Sequence, residues 1–356
     1  MAKAVVALSG GVDSAVAAAL LQEEGLELMG VTLRLWPQSR CCDEKDIEDA
    51  ADLCVRLGIP YQVLDYRERF REMVVDPFIA GYAAGQTPNP CARCNQLLKF
   101  DALWQEARTM GADILATGHY ARLGYRNGAP VLLRGVDRRK DQSYFLFGVS
   151  REVLSHLRFP VGEMDKETVR GLARKLGLPL AGKSDSQDIC FVPGGDYRAF
   201  LKEQGSGTGA LPGDIVRADG ETVGRHNGIA GYTVGQRRGL GGGSGEPLYV
   251  VALDPDRNEV RVGPATALFQ DRVPLHGCRW LVPGWDAGAS GSHAVQVKLR
   301  YTAPLAAARL HLLPEGRGEL ILEEPQRAVT PGQAAVCYDG DRLLGGGWIT
   351  PAGDGA

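Results

Sequence analysis

The stretch AVVALSGGVDSA, residues 4–15, decides the fold of the N-terminal part of the chain. A short apolar strand, Ala4–Leu8, runs directly into a Gly-rich loop, and an Ala/Leu-rich helix follows at residues 15–24. Glycines let backbone amides turn toward a phosphate group, and the N-terminus of the helix adds the positive end of its dipole. We therefore predict that the loop Ser9–Ser14 binds the phosphates of a nucleotide.

The side chains of this loop restrict the kind of nucleotide chemistry. The loop lacks the Walker A lysine, which argues against a kinase or GTPase loop. The carboxylate of Asp13 beside phosphates is suited to holding Mg²⁺. The loop resembles that of the ATP pyrophosphatases, which cleave ATP to AMP and pyrophosphate. The alternative is a Gly-rich turn that binds no ligand.

Strands and helices continue to alternate after this loop. Strands are predicted at 28–35, 61–64 and 113–117, and helices at 46–57 and from Asn95 onward. In the last helix the apolar positions 97, 100, 104 and 107 lie on one face. Strands that alternate with helices favour an α/β fold with a doubly wound parallel sheet.

The composition of the sequence changes after about residue 205, where Gly and Pro become frequent. Residues 216–223 predict a hairpin on an Asp-Gly turn, 293–301 alternate strictly between apolar and polar side chains, and a second Asp-Gly turn stands at 339–340. We predict three domains: a catalytic domain at 1–204, a small linking domain at 205–268 and a C-terminal β-barrel at 269–356.

Composition sets the compartment and the state of the cysteines. The 356 residues carry a net charge of −3, and no apolar run has the length of a membrane span or the form of a secretory signal. We expect a cytoplasmic protein with no membrane partner, in which the eight cysteines are reduced. Cys54, Cys278 and Cys337 are interpreted as core packing.

The loop TPNPCARCN, residues 87–95, is the second informative segment. Cys94 stands directly before the helix predicted from Asn95. The helix dipole and Arg93 should both favour its thiolate, which is the reactive form. A further cysteine, Cys190, ends the polar run SDSQDIC at 184–190.

A structural zinc site is the alternative interpretation of the paired cysteines. Cys91 and Cys94 could supply two ligands, with Cys41 and Cys42 as the other two. An adjacent Cys-Cys pair is a poor clamp for zinc, and no histidine is near in the sequence, so we favour reactive thiols.

Several motifs together resemble a known family. They are SGGVDS at 9–14, TPNPCARCN at 87–95, GHYAR at 118–122, KDQSYFL at 140–146, SQDICF at 186–191 and GYTVGQRRGL at 231–240. Over essentially the whole chain they resemble the tRNA-specific 2-thiouridylases of bacteria. The resemblance implies that ATP adenylates the C2 oxygen of the wobble uridine in tRNAs for Lys, Glu and Gln. Sulfur from a donor, a relay protein or free sulfide then displaces AMP.

The resemblance also implies roles for individual residues. Cys190 would carry a persulfide, and Cys94 would be the nucleophile that releases sulfur from it. The ATP-binding positions would be Ala7, Leu8, Ser9, Gly10, Gly11, Val12, Asp13, Ser14, Leu33 and Gly118. The tRNA-contacting positions would be His119, Lys140, Asp141, Gln142, Arg300, Tyr301 and Gln333.

The chain departs from the family at Cys91, where many members carry an aspartate with an assigned acid/base or positioning role. That role cannot be carried over to a thiol. We therefore hypothesise that Cys91, Cys94 and Cys190 hold a 4Fe–4S cluster whose open iron binds sulfide. In that case Cys94 and Cys190 are ligands and the persulfide route does not operate.

Basic side chains bear on the RNA partner. Arg134, Arg138, Arg139 and Lys140 cluster in sequence, and Lys298 and Arg300 share a strand face. Such patches can grip phosphates despite the negative net charge, although each could equally be a solvated face. Two rival functions remain: an ATP-dependent ligase that forms amides or guanidines on a small molecule, and a non-enzymatic RNA- or metal-binding protein.

Overall fold

The computed structural model describes residues 1–37, 43–178, 183, 188–205, 209, 211–240, 246–285 and 289–351. The chain divides into two compact units. The first consists of Met1–Val74, Cys91–Gly195 and Gly340–Leu344, and the second of Val75–Pro90, Asp196–Asp339 and Gly345–Ala356.

Strands and helices alternate through the first two hundred residues. The strands are β1 (Lys3–Ala7), β2 (Glu27–Arg34), β3 (Tyr61–Asp65), β4 (Ile114–Thr117), β5 (Ala121–Arg126), β6 (Ala129–Arg134) and β7 (Leu157–Arg158). The helices are α1 (Val12–Glu23), α2 (Glu44–Leu57), α3 (Arg67–Phe70), α4 (Asp76–Ala83), α5 (Pro90–Cys94), α6 (Leu103–Thr109), α7 (Lys166–Lys175) and α8 (Tyr197–Glu203), with π-helical turns at Arg71–Val75 and Asn95–Ala102. Of the helices in the described residues, none is long and apolar enough to cross a membrane.

In the described part of the first unit, five strands form a parallel sheet in the order β3-β2-β1-β4-β7. The central strand β1 is buried on both faces, because Ala4, Val5 and Val6 have no exposed surface. Strands buried on both faces are typical of parallel sheets covered by helices, and the small side chains of α1 pack against this layer. The predicted α/β class is confirmed.

The second unit begins its β-structure with a small sheet, which has the order β10-β11-β8-β9. Its strands are β8 (Gly213–Arg217), β9 (Thr222–His226), β10 (Tyr249–Asp254) and β11 (Glu259–Gly263). β8 and β9 are antiparallel, which confirms the hairpin predicted from the Asp-Gly turn. Val250, Val260 and Val262 are fully buried in the core of this sheet, together with Ile215 and Leu240.

The remaining strands close into a six-stranded barrel, as the C-terminal sequence predicts. They are β12 (Phe269–Trp280), β13 (Gly291–Lys298), β14 (Ala306–Leu313), β15 (Arg317–Arg327), β16 (Ala334–Asp339) and β17 (Arg342–Ile349). Their order is β12-β15-β14-β13-β16-β17, and β17 pairs back with β12, for example at Ile349 and Leu275. Val295 and Val297 face the buried side of β13, as the alternation at 293–301 indicates.

The segment Gly340–Leu344 belongs to the first unit although it lies between β16 and the end of β17. There Arg342 pairs with Leu133 of β6. The carboxylate of Asp341 accepts hydrogen bonds from Arg122 at 2.8 Å and from Arg138 at 2.6 Å. A short piece from the C-terminal end of the chain therefore completes the hairpin β5–β6.

Candidate functional site

The predicted phosphate loop lies between β1 and α1. Gly10 adopts a positive φ of 64°, and Gly11 is the N-cap residue of α1. The hydroxyl of Ser14 donates to the Gly11 carbonyl at 3.0 Å and accepts from the amide of Ser9 at 3.2 Å. Because glycine has no side chain with which to cap a helix, the amides of the first turn are suited to an anion.

Asp13, in the first turn of α1, already contacts a cation of the protein. Both carboxylate oxygens accept hydrogen bonds from Nζ of Lys166, each at 2.8 Å, and one accepts from the hydroxyl of Tyr120 at 2.8 Å. Lys166 is the first residue of α7, and its side chain is only 11% exposed. This cation at the loop is absent from the sequence-based set of site residues.

A second lysine that the sequence-based set omits, Lys183, also contacts the loop. Nζ of Lys183 donates to the carbonyl of Gly10 at 2.9 Å and to the carboxylates of Asp46 and Asp49 at 2.5 and 2.8 Å. Both aspartates lie on α2. The loop is thus flanked by two lysines, each paired with carboxylate.

The predicted ATP-binding positions outside the loop, of which Leu33 and Gly118 were assigned to the adenosine, lie at one edge of the parallel sheet. Ala7 and Leu8 stand at the end of β1, Leu33 near the end of β2, and Gly118 directly after β4. These strands are neighbours and parallel, so their carboxyl ends meet at the same edge. That edge is where ligands bind in open α/β sheets.

His119 follows Gly118, and its ring lies among aromatic side chains. Phe100 and Phe159 are 5.6 and 6.3 Å away between ring centroids, and Nδ1 is 2.7 Å from the hydroxyl of Thr117. Burial, aided by the charge of Lys99, lowers the pKa of His119 to about 3. A contact with tRNA would therefore use a neutral imidazole.

The helix carrying the paired cysteines starts earlier than predicted. It begins at Pro90 and continues through Asn95–Ala102 into α6. The prediction that Cys94 precedes a helix starting at Asn95 is wrong: Cys94 lies inside the helix and is 7% exposed. Pro90 explains this, since proline has the backbone angle of a first helical residue. Cys91, in the first turn, is partly exposed.

Arg93 has a hydrogen-bond partner other than the neighbouring thiol. Its Nε donates to the carbonyl of Met73 at 2.7 Å, and burial lowers the pKa of its guanidinium. The prediction of a thiolate at Cys94 rested on the helix N-terminus and on Arg93. The helix begins earlier, at Pro90, and Arg93 donates to a backbone carbonyl, so neither feature acts on Cys94 as predicted.

Cys190 is partly exposed, and the residue that follows it, Phe191, is buried. The ring of Phe191, 1% exposed, meets Phe70 at 5.5 Å and Trp36 at 6.3 Å, both edge-on. Trp36 lies two residues beyond the end of β2. The backbone of Cys190 is thus held next to elements of the nucleotide edge.

The structure places the other cysteines as follows. Cys54 and Cys337 have no exposed surface, and burial raises the pKa of Cys54 to about 11 and that of Cys278 to about 12. Cys54 and Cys337 are thus buried as expected of packing residues, whereas Cys278 is partly exposed. Cys41 and Cys42 lie outside the described residues.

The described residues include the three proposed cluster ligands, Cys91, Cys94 and Cys190. No three side chains of the types His, Cys, Asp and Glu are grouped there so as to hold a metal ion. Cys91, Cys94 and Cys190 are therefore not grouped in this arrangement, and a 4Fe–4S cluster would require them to come together.

The predicted tRNA-contacting residues fall in both units, and several make internal hydrogen bonds. In the first unit, Asp141 is 3% exposed and accepts from Arg134 at 2.9 Å, and the side chain of Gln142 accepts from the amide of Tyr120 at 2.9 Å. Lys140 is partly exposed. These contacts fix the shape of the segment that follows β6.

In the second unit, Arg300 donates to the carbonyl of Ala328 at 2.9 Å and to the hydroxyl of Thr330, and the ammonium of Lys298 lies over the Tyr301 ring at 5.7 Å. Nε2 of Gln333 donates to the carbonyl of Thr87 at 2.7 Å. Gln333 thereby holds the start of the segment that leads to Cys91.

The basic cluster after β6 is largely paired with carboxylates. Arg134 pairs with Asp141 and Arg138 with Asp341. Arg139 differs, because its side chain is 89% exposed and stands 3.6 Å from Asp137. Carboxylates therefore already pair with Arg134 and Arg138, and Arg139 is the most exposed of the three arginines.

Comparison with known families accounts for nearly the whole chain. Residues 2–194 match a model described as tRNA methyl transferase HUP domain, and 198–264 match the tRNA methyl transferase PRC-barrel domain. Residues 271–349 match the Aminomethyltransferase beta-barrel domain.

Three curated relatives each match across 98% of this chain and 98% of their own length, and each is named tRNA-specific 2-thiouridylase MnmA. The protein from Acidithiobacillus ferrooxidans is 62% identical, that from Magnetococcus marinus 51% and that from Chloroflexus aggregans 48%. Among solved structures, the U34-tRNA thiolase NcsA from Methanococcus maripaludis with its 4Fe-4S cluster is 19% identical. It has a TM-score of 0.37 over 58% of this chain and 66% of that chain, which is too low to bear on function.

Proposed function

The chain belongs to the family of tRNA-specific 2-thiouridylases, and from this membership we propose that it is a tRNA sulfurtransferase that uses ATP. The reaction replaces the C2 oxygen of the wobble uridine by sulfur and releases AMP and pyrophosphate. The observation that carries the proposal is 62% identity to a named family member over 98% of both chains.

The ATP half of the reaction is assigned to the edge of the parallel sheet. Loop amides and the hydroxyls of Ser9 and Ser14 bind the phosphates, while Leu33 and Gly118 border the adenosine. Mg²⁺ commonly takes one or two carboxylates together with phosphate oxygens and water, and the Asp13 carboxylate, whose side chain is 30% exposed, fits that requirement. When bound, Mg²⁺ would neutralise phosphate charge. Lys166 supplies a further positive charge at the same carboxylate.

Adenylation makes the C2 oxygen a good leaving group, because AMP departs more easily than oxide. The uridine oxygen attacks the α-phosphorus, pyrophosphate leaves, and the C2 carbon then accepts sulfur. The two lysines beside the loop fit the charge of pyrophosphate, and this is chemistry that the rival ligase would share. The barrel and the reactive cysteines distinguish the sulfurtransferase from that rival.

The sulfur half is assigned to Cys190 and Cys94. Cys190 carries a persulfide from a sulfur donor, and the thiolate of Cys94 attacks the Cys190 sulfur of that persulfide. The terminal sulfur leaves as hydrosulfide and attacks C2, so that AMP departs. A Cys94–Cys190 disulfide is left, and a thiol reductant returns it to two thiols.

The cluster hypothesis is the alternative for the same cysteines, and it is separated from the persulfide route by analysis of iron and acid-labile sulfide in protein purified without oxygen. About one cluster per chain that is lost in Cys91→Ala would favour it. A protein that contains no iron and still thiolates tRNA would favour the persulfide route.

We further propose that the substrates are the tRNAs for Lys, Glu and Gln, that sulfur comes from a donor protein, a relay protein or free sulfide, and that the enzyme works in the cytoplasm. The test is mass spectrometry of nucleosides from tRNA after incubation with ATP, Mg²⁺ and a sulfur source. Formation of 2-thiouridine that is abolished by Cys190→Ser supports the proposal. Absence of 2-thiouridine with every sulfur source would contradict it.

A further inference from the structure

The motif GYTVGQRRGL, residues 231–240, carries two adjacent arginines to which the reaction steps above give no role. Arg237 and Arg238 are both exposed. Within the described residues, no carboxylate forms an ion pair with either of them. An arginine in this state keeps its charge and its five N–H donors for a ligand from outside the protein.

Other arginines beside the same small sheet do have carboxylate partners. Arg217, in β8, lies 3.1 Å from a carboxylate oxygen of Glu221, and Arg225, in β9, lies 3.8 Å from Asp214. The positive charge at residues 237 and 238 is therefore a local feature of the motif. It is not the general condition of basic side chains in this part of the chain.

The backbone that carries the two arginines is fixed by hydrogen bonds on both sides. The amide of Gly235 donates to the carbonyl of Val250 at 2.8 Å, and the amide of Val250 donates to the carbonyl of Gln236 at 2.9 Å. Nε2 of Gln236 donates to the carbonyl of Arg238 at 2.8 Å, and Val234 is buried. Because the loop is held in one conformation, a ligand would bind it without the entropic cost of ordering the backbone.

A third arginine contacts the same loop. Arg198, in α8, is exposed, and its guanidinium donates to Oε1 of Gln236 at 3.4 Å and lies 5.7 Å from the centre of the Tyr197 ring. The carboxylate of Asp196 accepts from the backbone amide of Arg198 at 3.0 Å, as the cap of α8. The side-chain amide of Gln236 thus joins the guanidinium of Arg198 to the backbone of Arg238.

From these contacts we propose that Arg198, Arg237 and Arg238 form a binding surface for backbone phosphates of tRNA. The inference rests on the proposed function, which supplies tRNA as the polyanion. The planar guanidinium matches the oxygens of a phosphate and binds them with two hydrogen bonds. Phosphate contacts carry no sequence information, so this surface contributes to the affinity and orientation of tRNA and not to the choice among tRNAs.

The test is fluorescence anisotropy of labelled tRNA with the full-length protein over a range of KCl concentrations. In the double variant Arg237→Gln/Arg238→Gln, the slope of log affinity against log salt should become shallower by about 1.5–2. Raising KCl from about 50 to about 200 mM would then weaken binding about tenfold less than in the wild type. The variant Arg237→Lys/Arg238→Lys keeps both charges and should keep a slope close to that of the wild type.

The matched control is Arg217→Gln/Arg225→Gln, which removes the same charge from arginines that stand beside carboxylates. Its slope should equal that of the wild type. A loss of slope in the control as large as that in Arg237→Gln/Arg238→Gln would show an effect of net charge alone and would overturn the inference. Unchanged affinity and slope in Arg237→Gln/Arg238→Gln would overturn it as well.

Phosphate groups could also come from ATP, and steady-state kinetics separates the two sources. In Arg237→Gln/Arg238→Gln the KM for tRNA should rise while the KM for ATP stays unchanged. A raised KM for ATP with unchanged tRNA affinity would assign the arginines to the nucleotide and overturn the inference. Anisotropy needs no turnover, so a wild type that binds tRNA and makes no 2-thiouridine would contradict the proposed function and leave the phosphate-binding surface standing.

Discussion

Gly118 lies against the backbone of Ser14, so closely that a β-carbon on Gly118 would stand 2.5 Å from the Ser14 amide nitrogen. Because that neighbour is backbone at the start of α1, Gly118→Ala must displace the phosphate loop. We expect the KM for ATP to rise about tenfold and the free energy of unfolding to fall by about 1–3 kcal/mol. Steady-state AMP formation and urea unfolding measure the two effects.

Gly171→Ala is the matched control for Gly118→Ala. Gly171 lies within α7, and a β-carbon there would meet no atom within 4 Å. Alanine favours a helix over glycine by about 1 kcal/mol, so this variant should be neutral or slightly stabilised, with an unchanged KM. Equal effects of the two substitutions would show that the contact with Ser14 is unimportant.

The pair Asp13–Lys166 should be strongly coupled in the protein without ATP. Both oxygens of Asp13 are hydrogen-bonded to Lys166, whose side chain is 11% exposed. A double-mutant cycle with Asp13→Asn and Lys166→Met, followed by urea unfolding, should give a coupling energy of about 1.5–3 kcal/mol.

The exposed pair Asp65–Arg67 is the comparison, since its side chains are 52% and 50% exposed. Surface pairs of this kind contribute little, because water and salt screen them. A coupling energy for Asp13–Lys166 no larger than that for Asp65–Arg67 would contradict the structural account of the loop.

His119 should make the stability of the protein depend on pH. Its pKa is about 3 when folded and about 6.5 when unfolded, so between these values the unfolded state binds more protons. Its contribution to stability is complete above pH 6.5 and is lost as pH falls toward 3, by at most about 1.4 kcal/mol per pH unit. His119→Gln should flatten this decline in urea unfolding between pH 7 and 5.

His156→Gln controls for the loss of a partly buried ring, since His156 stacks on Trp104 at 4.6 Å. The slope of stability against pH should change more in His119→Gln than in this control. Identical slopes in the wild type and His119→Gln would mean that His119 is protonated normally in the folded protein.

Removal of Arg134 should lower the stability of the protein, whereas removal of Arg139 should affect only tRNA binding. Arg134→Ala leaves the buried Asp141 carboxylate without its arginine and should cost about 3–5 kcal/mol of stability. Arg139→Ala should leave stability unchanged and weaken tRNA binding, with a salt slope reduced by about one if Arg139 contacts a phosphate. Fluorescence anisotropy with labelled tRNA over a range of KCl concentrations measures that slope. No change in affinity or slope would exclude Arg139 from the tRNA contact.

The parts of the site that sequence could predict are local in the chain. The strand, loop and helix around Ser9–Ser14 are contiguous, and so is the hairpin β8–β9, because turn residues and apolar periodicity act over a few positions. The start of the helix at Pro90 also had a local signal, the proline itself, which the prediction of a helix from Asn95 overlooked.

The parts that sequence missed depend on contacts between distant residues. Lys166 is 153 positions from Asp13, and Lys183 is 137 positions from Asp46. From the sequence, Arg138 was expected to be able to bind RNA, because its partner, Asp341, lies 203 positions away in the chain. A charge pattern along the chain cannot reveal whether an opposite charge arrives from elsewhere, since that depends on the tertiary fold.

The five residues Gly340–Leu344 have a consequence for dividing this protein into pieces. The chain changes unit at 75, 91, 196, 340 and 345, so no single cut yields both units intact. A fragment that ends at 195 would lose Asp341, and with it the carboxylate that neutralises Arg122 and Arg138. The remainder would lack α4, which belongs to its unit. In evolutionary terms, a domain that replaced the barrel would also have to supply these five residues to the first unit.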